Sequence, residues 1–205
     1  MRIETLMQQF KETRHYSELL CKPLQIEDYS VQPNENVSPP KWHLAHSTWF
    51  FEQFILVAFD TNYEVYNEDF AFLFNSYYNN AGKRVLRPNR GLMTRPVVSE
   101  VLEYRHFVTE KIIALAEKNP SKEILNLIEI GINHEQQHQE LLSYDIKFIL
   151  GNQPTFPEYQ TDLHLKQETQ NLDFVSLFEG VYEIGHTSKD FCFDNELGVH
   201  KTYIQ

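Results

Sequence analysis

The sequence predicts a mainly α fold: four helices of bundle length, followed by a short segment of α+β character. Three observations carry this reading. Apolar residues recur at helical spacing in four stretches, each closed by proline, glycine or asparagine. One of these stretches is apolar nearly all round, as a helix enclosed by others must be. After Pro157 the helical period gives way to strand alternation.

Residues 3–20 place Ile3, Leu6, Phe10, Tyr16, Leu19 and Leu20 in a helical stripe, and Pro23 closes it. A polar, proline-containing stretch, 32–37, leads to Ser38-Pro39-Pro40, read as an N-cap serine with proline in the first turn. The second helix runs from there to about Phe59. Residues 71–99 read as a long ordered loop holding Gly82, Pro88, Gly91 and Pro96. The third helix spans 96–119, with Val97, Val101, Tyr104, Val108 and Ile112 in stripe. Ser121 opens a fourth that reaches Leu150 and stops before Gly151, Asn152 and Pro154. The helical domain is therefore assigned to 1–157, a polar linker to 158–170 and a second domain to 171–205. In that last segment residues 174–185 alternate like strands around a turn at Glu179-Gly180. About 35 residues cannot bury a β core unaided. The tail is accordingly expected to be the incomplete opening of a larger domain.

Composition narrows the function. A net charge of -11 argues against a nucleic-acid-binding surface. The longest apolar run, 49–59, is broken by Glu52 and Gln53 and is too short to span a membrane. The first ten residues lack the apolar stretch of a secretory signal. Cys21 and Cys192 stand far apart, which fits a reducing compartment better than a disulfide framework. A cytoplasmic protein with neither nucleic-acid nor membrane partners is expected.

The chemistry concentrates in the fourth helix. Residues 134–142 read HEQQHQELL, so His134 and His138 lie one turn apart on one face, shared with Leu127, Gly131, Leu141 and Asp145. Two imidazoles in a buried stripe are costly without partners, which favours ligands over core histidines. The same letters spell H-E-x-x-H, the pattern of a zinc protease with Glu135 as general base. The downstream residues argue against a protease: Gly151, Pro154 and Pro157 separate the motif from Glu158, and no further histidine extends it. A third ligand is better sought in the second helix, PPKWHLAHSTWFFE, where His46 is flanked by Ala45 and aligned with Trp42, Trp49 and Phe50. His43 reads as a surface residue or as one supporting the ligands. A three-histidine site between facing helices is a recurrent place for a metal. Imidazoles alone do not choose among iron(II), zinc and nickel.

The loop 71–99 contains no Asp or Glu, yet it holds Lys83, Arg84, Arg87, Arg90 and Arg95. It is either a solvated basic loop facing acidic helices or a clamp for substrate carboxylates, which guanidinium groups bind in pairs of hydrogen bonds. Arg95, before Pro96, reads as a structural contact. Tyr77 and Tyr78 either wall a pocket or pack.

Three stretches, PPKWHLAHSTWFFEQF, FNSYYNNAGKRVLRPNRGLMTRPVVSEVLEYR and HEQQHQELL, resemble the DinB-like N-terminal domain of ergothioneine-pathway sulfoxide synthases of the EgtB type. The tail FVSLFEGVYEIGH resembles the start of their formylglycine-generating-enzyme-like domain, which has a C-type-lectin-like fold. The resemblance implies a DinB-like four-helix bundle followed by a truncated α+β segment. It implies Fe(II) held by His46, His134 and His138, with thiol-substrate binding at Arg87 and Arg90 and an imidazole contact from Gln137. The implied reaction joins the thiol of γ-glutamylcysteine or cysteine to Nα-trimethylhistidine (hercynine) with O2, giving a sulfoxide. In that family the active site lies between the domains, and the tyrosine that assists the oxygen chemistry belongs to the C-terminal one. No catalytic residue is therefore assigned, and the 205-residue chain is expected to lack turnover by itself. Two other readings stay open: a DinB-type metal-dependent thiol transferase, and a metal-binding helical module without activity.

Overall fold

A computed structural model describes residues 3–76, 83–161 and 174–205. The chain separates into two compact units, Met1–Thr161 and Asp162–Gln205. Tyr77, Tyr78, Gly82 and most of the expected linker lie outside the described residues.

The first unit is helical. Its elements are α1 (Ile3–Cys21), α2 (Pro40–Phe51), α3 (Val57–Phe59), α4 (Phe70–Leu73), α5 (Val98–Ala116) and α6 (Lys122–Gly151). The four longest pack together: α1 lies on α6 and α5, and α2 lies between α5 and α6. That position explains the composition of α2, every residue of which is buried. Its core partners include Phe10, Val101, Tyr104, Val108, Ile128 and Ile132. Gly131 lets α6 approach α2 closely, since a Cβ there would lie 2.4 Å from Phe51 Cε1.

Between α2 and α3 the helix widens to π geometry over Glu52–Leu56. The turn carries Glu52 into the core, where its carboxylate accepts from the Tyr104 and Tyr63 hydroxyls, each at 2.6 Å. These bonds satisfy a carboxylate that is wholly buried.

Four local expectations are corrected. The buried face of α1 is Leu6, Phe10, Thr13, Arg14, Ser17 and Cys21, while Tyr16 and Leu19 are exposed. Polar residues displace apolar ones there because α1 supplies one side of a buried ion network centred on Glu135. Ser38 is not the N-cap of α2. Pro39 holds that place, and Ser38 instead uses its N–H on Asp145 Oδ2 at 2.9 Å. The loop 71–99 is less irregular than expected, with α4 at its start and a 3-10 turn over Arg87–Leu92. α5 begins at Val98 rather than at Pro96. Ser121 does cap α6, its hydroxyl accepting from Ile124 N–H at 3.4 Å.

In the second unit, β1 (Gly180–Ile184) pairs antiparallel with β2 (His200–Ile204), from Gly180 opposite Ile204 to Ile184 opposite His200. The expected turn at Glu179-Gly180 is absent. Residues 174–178 form no strand, because β1 finds its partner downstream. Gly185 turns the chain with φ +132°, where an added Cβ would meet Val199 Cα at 2.7 Å. Among the described residues no helix is long and apolar enough to cross a membrane.

Candidate metal centre

Two facing helices build the site. α2 presents His43 and His46, and α6 presents His134 and His138. One ring nitrogen each from His46, His134 and His138 lies within 4.8 Å of the other two. The ring centroids are 5.1 Å apart for His46 and His134, and 4.7 Å for His138 with either neighbour.

Each ring is held from behind. His46 is stacked between Trp42, 4.5 Å away, and Trp49, 5.4 Å away, which flank it by one turn on either side. Its Nδ1 bonds the Phe74 carbonyl at 2.6 Å, which leaves Nε2 for the centre. His138 Nδ1 lies 2.9 Å from His43 Nδ1, and His43 Nε2 lies 2.8 Å from Asp145 Oδ2. His134 packs against the Phe50 ring, and its buried Nδ1 has no hydrogen-bond partner among the described residues.

Burial keeps this cluster neutral. It holds His46 and His138 well below the ordinary histidine value and brings His134 down to about 4; neighbouring imidazoles add to the effect at His46 and His138. Burial also lowers His43, with Asp145 opposing it. Neutral imidazoles are what a metal needs, since only they offer a lone pair. Three such nitrogens and no carboxylate suit a divalent transition metal and do not suit calcium or magnesium. The donor set fits an ion of the iron, zinc or nickel kind.

Glu135 takes no part. One position past His134, it is turned about 100° around the helix and faces away from the cluster. Its carboxylate accepts from Arg14 and Arg105, both at 2.9 Å, and from the Ser17 hydroxyl at 2.7 Å. A zinc-protease reading of H-E-x-x-H fails on this geometry, as no general base from the motif faces the histidines.

Arg87, Arg90 and Gln137 line the same cavity as the three histidines, a space of about 430 Å³. Arg90 is buried, lies over the Trp42 ring at 3.4 Å, and donates to the hydroxyls of Ser38 at 2.8 Å and Ser76 at 3.1 Å. Arg87 donates through Nη2 to the Asn36 carbonyl, and its buried Nε has no partner among the described residues. Arg95 is exposed and donates to the adjacent Thr94 carbonyl, outside the cavity.

Sequence reasoning leaves His43 undecided and passes over Arg14 and Arg105. A signal for His43 is present: three residues before His46, it points toward the same partner helix, and Asp145 shares the stripe of His138. No pattern marks Arg14, one of several charges in an amphipathic helix.

Residues 9–142 match the family described as the DinB superfamily (DinB_2), a span that holds all three clustered histidines and both cavity arginines. No curated protein matches the chain.

Proposed function

The chain belongs to the DinB superfamily, and from that premise we propose that it serves a non-haem iron(II), O2-dependent sulfoxide synthase. In this reading the four longest helices form the family's bundle, and the second unit opens a formylglycine-generating-enzyme-like domain. The substrates are the thiol of γ-glutamylcysteine or cysteine and the imidazole of Nα-trimethylhistidine, small molecules of a cytoplasmic pathway. One observation carries the proposal. His46, His134 and His138 converge in a single cavity that Arg87 and Arg90 also line. The resemblance of the three sequence stretches supplies the specific reaction.

When bound, iron(II) supplies the redox capacity that O2 chemistry requires. Overall, a thiol S–H and a ring C–H are lost, while a C–S and an S–O bond form. O2 accepts four electrons and leaves as the sulfoxide oxygen and water. The residues here bind and orient. Arg87 and Arg90 give the cavity a cationic wall for substrate carboxylates. Gln137, at the cavity wall, offers an amide to the imidazole substrate. Trp42 and Trp49 close off water behind His46. Holding both substrates at one place lowers the barrier through orientation.

A thiol transferase using zinc or nickel is the second reading, favoured by a donor set of imidazoles alone, which suits those ions equally. The test is anaerobic loading of the chain with Fe(II) and titration with each substrate, binding being followed by calorimetry. When O2 is then admitted, no sulfoxide is expected by mass spectrometry. Steady product would show that the tyrosine of the family's C-terminal domain is dispensable. We expect about one metal per chain, and at least a tenfold loss of affinity in His46→Ala and His138→Ala. Unchanged metal content in both variants would overturn the centre. Thiol transfer without O2 uptake would favour the second reading.

A further inference from the structure

The hydrogen bonds behind His138 run in one direction. A carboxylate oxygen only accepts, so Asp145 Oδ2 takes both the Ser38 N–H at 2.9 Å and, at 2.8 Å, an N–H from His43 Nε2. The Nε2 proton therefore sits on His43. A neutral His43 then has only a lone pair at Nδ1, and the 2.9 Å contact between the two Nδ1 atoms requires His138 to donate. Asp145 is buried on the same helix as His138, and His43 is buried on α2, so the chain of bonds ties the two helices together. We propose that Asp145 and His43 are positioning residues that hold the proton of His138 on Nδ1 and leave Nε2 as its only metal-binding atom. The same outcome is reached at His46 by a different route, the Phe74 carbonyl on its Nδ1. His134, whose buried Nδ1 has no partner among the described residues, lacks such a device.

The proposal makes His43 specific in a way that packing alone does not. An apolar residue at 43 fills the space and removes the acceptor for the His138 N–H. Asparagine keeps an acceptor, since its side-chain oxygen reaches the place of the imidazole Nδ1. Leucine at 145 leaves His43 free to take either tautomer and so releases His138.

The choice of ligand atom rests on the three-histidine metal centre; the proton position does not. The experiment uses the full chain in two arms. In the metal-free protein, long-range ¹⁵N–¹H correlation spectra of the histidine side chains report which nitrogen of His138 carries the proton. Titration with Co(II), followed by its visible absorption, reports affinity. We expect the Nδ1–H tautomer in the native chain. Affinity should fall roughly 10- to 100-fold in His43→Leu and Asp145→Leu, and His43→Asn should stay close to native. An Nε2–H tautomer in the native chain would overturn the proposal. So would equal Co(II) affinity in His43→Leu, or a His43→Asn variant as weak as His43→Leu while both keep native circular dichroism. If either leucine variant fails to fold, the native tautomer and His43→Asn still decide. A native chain that shows the Nδ1–H tautomer but takes up no Co(II) supports the relay and refutes the metal centre.

Discussion

At the scale of single residues, the molecule uses buried charge for two different ends. The histidines are kept neutral. Glu135, their neighbour in sequence, is kept ionised. Burial by itself raises the Glu135 carboxyl, but Arg14, Arg105 and the Ser17 hydroxyl outweigh it and hold the group down at about 2. Arg14 and Arg105 also bond Thr48, and Arg105 reaches the Leu44 carbonyl, so the network joins α1, α2, α5 and α6. Removing the carboxylate charge would leave two guanidinium groups buried side by side. Glu135→Gln is therefore expected to cost about 3–5 kcal/mol, the usual penalty for breaking a buried pair from one side, read as a lowered thermal midpoint. The pH dependence comes from the sign of the shift. A carboxyl depressed in the folded state stabilises fully above its unfolded value of 4.5, and that contribution is lost as pH falls toward about 2. Native stability should thus fall more steeply over that range than stability of the Gln variant. Parallel curves would show that Glu135 does not carry the effect.

At the scale of elements, the regular features are legible in the sequence and the cooperative ones are not. Proline and glycine mark the helix ends, and periodicity marks the helices, because both act within a turn of chain. The H-E-x-x-H spacing puts His134 and His138 on one face for the same local reason. The buried face of α1 escapes such a reading because its polar half is justified by partners on other helices, Glu135 and Gln139 among them, more than a hundred residues away. The π turn leaves no sequence signal, since widening a helix by one residue needs no special residue type. Residues 174–178 suggest a strand that does not form, because alternation does not name a partner. One contact between elements is sharp enough to test. Phe51 is fully buried and meets Phe10 edge-on at 5.0 Å, so it cannot retreat from a methyl group on Gly131. Gly131→Ala gains up to ~1 kcal/mol of helix propensity and is expected to lose more, for a net cost of about 1–2 kcal/mol from overpacking. Urea unfolding measures it, and a stabilised variant would show that the Phe51 ring moves freely.

At the scale of the whole molecule, the two units contrast. Among the described residues, every buried hydrophobic side chain lies between Leu6 and Leu150, within the first unit. The candidate centre borders that core, with His46 buried and His134 and His138 half-buried at a cavity wall, and desolvation dominates the behaviour of its histidines. The change of character after Pro157 is legible as a change of period. The strand pairing beyond it is not, because β1 meets β2 across a loop that holds no helical or strand repeat.

The indole pair around His46 has an optical consequence. The chain contains 2 tryptophans, and both are stacked on this one imidazole. Ultraviolet emission excited at the red edge of protein absorption therefore comes wholly from side chains touching one candidate ligand ring, so the native protein carries its own reporter dye. Binding of Co(II) or Ni(II), whose open d shells quench excited indoles, should extinguish most of that emission in a titration that saturates at one equivalent. Zn(II), with a filled shell, should occupy the same place and leave the light largely on, then block the quenching by Co(II) added afterwards. Emission that stays constant while cobalt binds would put the ion somewhere other than beside His46.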